Sequence, residues 1–494
     1  MRQGLSESTP RRGSFRSQWD LVSRTAPREA RYFQASVAPW LGQQSISDFA
    51  QYLQGAPRSE LKGLPQPIKP LVLAEFALNF HERAGTLTKA VRSSIDDYTS
   101  GRPSMRIAHQ PNFLPSLNVT GQAAVCESIA KLQPSNPVQV FLIVDYDLNN
   151  DRRYRHAMIP SLSSHTGYAS LCAPPLRKDE AVLIFGEKKP SEKDLPQLIQ
   201  PLHDHTAHDL AIIRQVCGVT ESNRYRLAER QAIIREHLLF SLRNGTTLAD
   251  VNSIFLSRVA NLLLGLPTIF VPGSLALRAL TEHLEYLWSI SGLYNHACRK
   301  VAAELEGIGV IISSSLVLAE NVAPFWVVCA HDSSRIAMGW ADWQRTKATG
   351  TCSRCHTYVE VTSRNIGDFL HGQERAKLIP RVVWDDLLDG FAWGHMGGCS
   401  YRGGLEHYMF TTAVAQRLGL TPLPEFLSEY KPRGPLNEYE HAAQQLEKQR
   451  TSSREQQAAR KAWKLARSGR ASVAYSLLWK PDFKDLGHSF QGTR

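Results

Sequence analysis

Two short cysteine-bearing turns carry the most definite chemistry in the sequence: Cys329-Ala-His331 and Cys352-Ser-Arg-Cys355. CxH and CxxC are knuckle spacings, in which one tight turn presents two donor atoms to the same point. Four sulfur and imidazole donors suit a tetrahedral Zn²⁺ ion. Protein would fill all four positions, so the ion is expected to be structural, with no open position for catalysis. His356, next to the second pair, is an alternative fourth ligand to His331. Unrelated cysteines are the plain alternative.

A second group of polar residues lies in loops that follow apolar runs. Ala108-His-Gln-Pro-Asn-Phe-Leu-Pro115 places His109 and Asn112 after a strand candidate and ahead of a helix start. There they can donate to a phosphate or a developing oxyanion; a Pro-rich turn with a satisfied histidine is the alternative. Thr120-Gly121-Gln122 opens the next helix candidate. Thr120 is placed to cap it, and Gly121 lets a ligand approach the backbone. Asp145 and Asp147 follow the most apolar run and can hold a metal, an amine or ribose hydroxyls, or simply end a strand. Gly397-Gly398-Cys-Ser-Tyr-Arg-Gly-Gly404 puts four glycines in eight residues ahead of Glu406. That composition suits a turn cradling phosphate or substrate, although it matches neither the P-loop nor the dinucleotide fingerprint. Cys399 has no partner spacing that would mark a nucleophile.

These residues need a frame to position them. Met105–His109 is a short strand candidate, and a helix is predicted from about Val119 to Leu132. Val138–Asp145 (VQVFLIVD) is eight mostly apolar residues ending in an acid. Strand, helix and fully apolar strand make a βαβ unit, whose parallel sheet is covered on both faces. Its loops at the strand carboxyl ends are where such sheets bind ligands. Thr268–Val271 and Pro324–Cys329 read as further strands, with a third starting at Val310–Ile312. Residues 190–266 read as mainly helical, on the one-face spacing of Leu227, Ile234, Leu238 and Leu242. A long helix is predicted over Leu275–Leu305. Residues 440–470 carry few large apolar side chains, which predicts one long exposed helix, with a coiled-coil arm as its use.

The chain has 494 residues, 43% hydrophobic and 21% charged, with a mean hydropathy of −0.28. That excludes global disorder, and no apolar run reaches the length of a membrane span. The net charge of +11 sits at the ends. Residues 1–35 hold seven Arg against three acids, and residues 431–494 hold thirteen Lys and Arg against six acids, so the stretch between is neutral. A neutral core argues against nucleic acid as the main partner. Eight scattered cysteines do not form a secreted disulfide framework, and a cytoplasmic location is expected. The Arg- and Ser-rich N-terminus lacks the apolar core of a secretory signal.

His109-Gln-Pro-Asn-Phe-Leu-Pro115 is similar to the HQPxxLP signature of WbqC-like proteins. The order of parts resembles the bacillithiol-biosynthesis cysteine-adding enzymes. The matching residues are Thr120-Gly121-Gln122, Asp145 and Asp147, Pro380-Arg-Val382, and Gly397-Gly398 through Glu406 and Tyr408. The resemblance covers residues 105–160 and 375–425. It departs at Ala123-Ala-Val-Cys126, where the family continues with glycines, and in the 329–355 insertion and the basic tail. It implies a Rossmann-like core related to the HIGH-motif nucleotidyltransferases. It also implies a ligase or nucleotidyl-transfer enzyme that uses ATP and Mg²⁺ to join an amino acid to a small amine-bearing molecule. His109 and Asn112 would then stabilise the transferring phosphate, and Thr120, Gly121 and Gln122 would admit the triphosphate. Asp145 or Asp147 would hold the amine or Mg²⁺, and Gly397, Gly398 and Glu406 would close the cleft.

The expected architecture is therefore an α/β protein with a Rossmann-like parallel core, a zinc-ribbon insertion and a helical C-terminal arm. The segments are a disordered basic stretch (1–35), a helical segment (36–100), the core with a helical insertion (101–325), the ribbon (326–360), a return to the core (361–430) and the arm (431–494). A small amino-acid-like molecule is the expected partner, with no membrane, and the arm is a candidate for homodimerisation. The rivals are a nucleic-acid-associated protein using ribbon and tail, and an inactive nucleotide-binding scaffold.

Overall fold

The computed structural model describes residues 70–474 apart from internal stretches, the longest being 174–186, 398–409 and 418–436. The chain opens with helices α1 (Pro70–Ala84) and α2 (Lys89–Thr99). Gly85, at φ +63°, ends α1, where the Thr86 N–H reaches back to the His81 carbonyl (2.9 Å). Thr88 caps α2 by accepting from the Val91 N–H. Strands β1 (Ser104–His109) and β2 (Val138–Ile143) follow, and all six β2 residues are buried. Val119, Thr120, Ala123 and Glu127 are helical between them.

A hairpin that the sequence did not announce comes next: β3 (His156–Pro160) and β4 (Tyr168–Cys172). Three helices, α3 (Leu195–Cys217), α4 (Leu227–Asn244) and α5 (Leu248–Arg258), lead to β5 (Ile269–Pro272). A single helical turn at Gly273–Ala276 then precedes the long α6 (Thr281–Gly307). The following strands are β6 (Val322–Val328), β7 (Arg335–Trp340), β8 (Lys347–Thr351), β9 (Tyr358–Thr362), β10 (Leu378–Pro380) and β11 (Ala392–Gly397). Helices α7 (Asn437–Gln449) and α8 (Ser453–Arg467) close the described chain. No helix among the described residues is long and apolar enough to cross a membrane.

The fold is mixed α/β. One sheet is parallel throughout, in the order β11-β1-β2-β5. β1 and β2 are direct neighbours, as a short helical crossover requires. The apolar run Val382-Val-Trp384 lies outside the described residues, and β11, which begins ten residues after Val382, pairs with β1. Of the strand expected at Val310–Ile312, only Ile312 is described, and it is not in a strand. The second sheet is antiparallel, in the order β10-β6-β7-β8-β9, inserted between the third and fourth parallel strands.

Aromatic packing under the parallel sheet joins α1 to β2 and β5. Phe141 and Phe270 stack at 4.9 Å, with Phe80 6.3 Å from Phe270. His81 sits among them, fully buried. Its Nε2 accepts the Phe270 N–H (2.9 Å), so Nδ1 carries the hydrogen and donates to Thr86 (2.7 Å).

The C-terminal region departs from expectation. It is not one exposed helix but two that fold back on each other, with α7 on α3 and α8 on β3 and β4. Ala442, Ala443, Ala458, Ala459 and Ala462 are buried between these elements. Gly167, at the hairpin turn, lies so close to α8 that an added Cβ would stand 2.2 Å from the Ala458 carbonyl. The alanine faces are used inside the molecule, which removes the basis for an exposed coiled-coil arm.

Two outcomes follow. Burial pushes the His81 pKa down to about 3 and that of His237 down to about 4. Both histidines take up protons on unfolding, so their contribution is complete above pH 6.5 and is lost as pH falls toward 4 and 3. His81→Gln retains an acceptor and a donor without titrating. Urea midpoints measured from pH 7 to 4 should fall less steeply in this variant, by up to about 1.4 kcal/mol per pH unit. Ending the chain before Asn437 should lower the melting midpoint by more than about 5 °C, because several buried contacts and hydrogen bonds are lost together. An unchanged midpoint would show that the two helices are only appended.

Candidate metal centre and sheet-edge cleft

The antiparallel sheet brings both cysteine turns to one end. Cys329 opens the β6–β7 turn, and Cys352 and Cys355 lie in the β8–β9 turn. Each turn is closed by backbone bonds: Cys329 N–H to Ser334 O (2.8 Å) in the first, Cys352 N–H to Thr357 O (2.9 Å) in the second. The Cys329, Cys352 and Cys355 sulfurs and an Asp332 carboxylate oxygen all lie within 4.8 Å of one another. The Cys329 and Cys355 sulfurs are 3.4 Å apart, close to the ~3.8 Å that a zinc tetrahedron with 2.3 Å Zn–S bonds demands. This cluster can hold a metal ion such as zinc, on a frame compatible with a zinc ribbon.

The fourth donor differs from expectation. Asp332 occupies the position assigned to His331, which is exposed one residue earlier, and His356 is also exposed. Cys329-Ala-His-Asp332 has the same two-residue gap as Cys352-Ser-Arg-Cys355, and that symmetry was the available signal. Asp332 is prepared for the role. Burial works against its charge, but the Ser334 hydroxyl and N–H (2.7 and 2.9 Å) and the nearby thiols hold its pKa down at about 2. Arg354 Nε stands 3.8 Å away. Burial pushes the Cys329 thiol up to about 12, against hydrogen bonds from the His331 and Asp332 N–H groups. The Thr357 hydroxyl and N–H bring Cys355 down to about 7. A metal must therefore displace protons, chiefly from Cys329, so its affinity rises with pH.

The carboxyl ends of the parallel strands gather the other polar residues. Ala108 pairs with Gly397, and His109 pairs with Ile143, so the ends of β11, β1 and β2 share one rim. His109 is buried, and its Nδ1 lies 2.8 Å from the Gln110 carbonyl. A carbonyl only accepts, so Nδ1 carries the hydrogen and Nε2 the lone pair. His109 can then donate through Nε2 only once protonated. Asn112 is buried, and no hydrogen bond to its Oδ1 is present among the described residues. The loop carrying both is fixed from outside: Asn252 Nδ2 donates to Pro111 O (2.8 Å), and Ser472 Oγ donates to Leu114 O (2.9 Å).

The two rim acids have different surroundings. Asp145 accepts from the Ser274 N–H (2.7 Å) and hydroxyl (2.5 Å), which ties the end of β2 to the turn after β5. Asp147 accepts from Gln110 and pairs with Arg335 at 2.8 Å, a contact between the rim and the antiparallel sheet. Thr120 is not the expected cap. It lies within the helix, and its hydroxyl donates back to Ser116 O (3.4 Å). Gly121, Gln122, Gly398 and Glu406 lie outside the described residues. Arg335, Asn252 and Ser274 support the rim without any sequence motif to mark them.

Purified protein should contain close to one zinc per chain. Asp332→Ala should weaken zinc binding beyond the ~10–100-fold typical of losing an outer-shell partner, and Cys352→Ser should do so too, while His331→Ala retains it. Chelator competition measures this, and equal loss in His331→Ala would return the fourth position to the histidine. No protein-family model and no curated protein matches the chain.

Proposed function

We propose that this protein is an ATP-using ligase or nucleotidyl-transfer enzyme that joins an amino acid to a small amine-bearing molecule. The observation that carries the reading is the strand order. Counted along the chain, the parallel strands stand in the order 4-1-2-3, and the direction of winding reverses between β1 and β11. In open α/β sheets, ligands bind outside the strand carboxyl ends at such a reversal. His109 and Gly397 flank this one.

The roles follow from position. ATP enters as a substrate whose phosphates activate the amino-acid carboxylate. His109, protonated at Nε2, and Asn112 stabilise charge on the transferring group, and Asp147 holds the amine or a Mg²⁺ ion. Asp145, bound twice by Ser274, keeps the rim in shape. Such chemistry runs on positioning and preset electrostatics, so no nucleophile is needed. Thr120, Gly121, Gln122, Gly398 and Glu406 remain candidates for closing the cleft over the nucleotide.

Millimolar ATP should raise the melting midpoint by mass action. ATP with mixtures of amino acids and small amines should release phosphate or pyrophosphate. His109→Asn keeps a donor to the Gln110 carbonyl and removes only the Nε2 position. It should cut turnover about 10²–10⁴-fold with a nearly unchanged melting midpoint. Absence of both stabilisation and turnover would end the ligase reading.

A further inference from the structure

The antiparallel sheet carries a second cluster of side chains apart from its cysteine turns. Trp326 on β6 lies opposite Ala337 of β7 and Ile379 of β10. Residues two apart on a strand share a face, so Arg335 and Arg381 rise on the same side as Trp326, from its two neighbouring strands. Both guanidinium groups close on the indole, with Cζ 4.2 Å from the ring centroid for Arg335 and 4.6 Å for Arg381. Arg335 also has the Asp147 carboxylate at 2.8 Å. Arg381 has no acid: among the described residues no ion pair reaches it, and its buried Nε has no hydrogen-bond partner.

Two cations thus share one aromatic ring while only Arg335 has a carboxylate, which leaves a net positive charge half-buried beside the rim. An indole attracts a guanidinium electrostatically through its ring face, and it supplies no acceptor for the five N–H donors. Burial and the repulsion of Arg335 bring the Arg381 pKa down to about 10, so Arg381 stays charged at neutral pH. On the other side of Asp147, Gln110 gives its Nε2 to the carboxylate and leaves a buried Oε1 with no donor. A ligand completing the site therefore needs an anionic group for the arginines and an N–H or O–H for Gln110.

We propose that Arg381, with Arg335 across the Trp326 ring, forms a binding site for a phosphate group, at the junction of the antiparallel sheet and the rim of the parallel sheet. Guanidinium is suited to phosphate by its paired donors and its permanent charge. The antiparallel sheet thereby contributes a binding residue to the cleft. That the phosphate belongs to a nucleotide rests on the ligase reading above; the anion site itself rests on the arginine contacts.

The test uses the full chain at fixed ionic strength, with pyrophosphate, ATP, adenosine and acetate as separate probes. Pyrophosphate and ATP should raise the melting midpoint, while adenosine and acetate should raise it far less. Arg381→Met keeps the aliphatic stem and should remove at least half of the pyrophosphate shift. Its unliganded midpoint should be unchanged or higher, since a buried cation without an acid partner is gone. If that variant fails to fold, Arg381→Lys keeps the charge without the fork and should weaken pyrophosphate binding at least threefold by calorimetry. Failure of millimolar pyrophosphate to stabilise the wild type, or an equal shift in Arg381→Met, would overturn the site. Pyrophosphate binding through Arg381 with no ATP turnover would support the site and remove the ligase reading. Turnover with an unchanged KM for ATP in Arg381→Met would remove the site and leave that reading in place.

Discussion

The loop that leaves β1 is buried, and buried backbone must find partners. Much of the molecule is arranged around that demand. The Phe113 N–H donates to Arg153 O, and the Pro111 and Leu114 carbonyls receive Asn252 and Ser472. The Val473 N–H completes the set at Pro115 O. Three segments far apart in sequence, at Arg153, Asn252 and Ser472–Val473, converge on a few residues. His109 and Asn112 inherit that rigidity. Their neighbours in the loop make most of the hydrogen bonds that fix it, and His109 adds its own to the Gln110 carbonyl, which is the kind of preorganisation that electrostatic catalysis needs.

The antiparallel sheet is anchored by two unlike contacts. On α6, Trp288 stacks on Phe325 at 5.2 Å and meets Trp340 edge-on at 5.0 Å, while its indole N–H donates to Arg345 O. Beside the rim, the contact is ionic, between Arg335 and Asp147. Aromatic burial supplies most of the adhesion and is insensitive to salt. The half-buried ion pair adds less energy but fixes orientation, because a guanidinium and a carboxylate meet in a preferred geometry. A bound metal would stiffen the far end of the same sheet.

Legibility in the sequence followed the size of the buried side chains. β2 and β5 announce themselves because strands covered on both faces read as unbroken apolar runs. β7, β8 and the β3–β4 hairpin are half-buried and carry Ser, Thr and Gly, so their pattern is weak. The terminal helices depart from the sequence expectation for a related reason: their buried stripe is alanine, which packs closely but is only weakly hydrophobic. At the candidate metal centre the spacing is informative and the choice of ligand is not, since each turn presents the donor that stands three residues beyond its first cysteine. The candidate phosphate site left no trace at all. It is formed by cross-strand neighbours on three strands, and register between strands is not written in local pattern.

Leu114 and Ser472 are 358 residues apart, and the pairing of β1 with β11 also waits for a late segment. On the ribosome, β1, β2 and β5 emerge early and can pair with one another. The Leu114 and Pro115 carbonyls in the loop after β1 must stay in water until Ser472 and Val473 have been made. Long-range closure of this kind slows folding and prolongs the exposure of an apolar intermediate. It also means that a chain cut before β11 lacks both the strand beside β1 and the Ser472 and Val473 contacts to its loop.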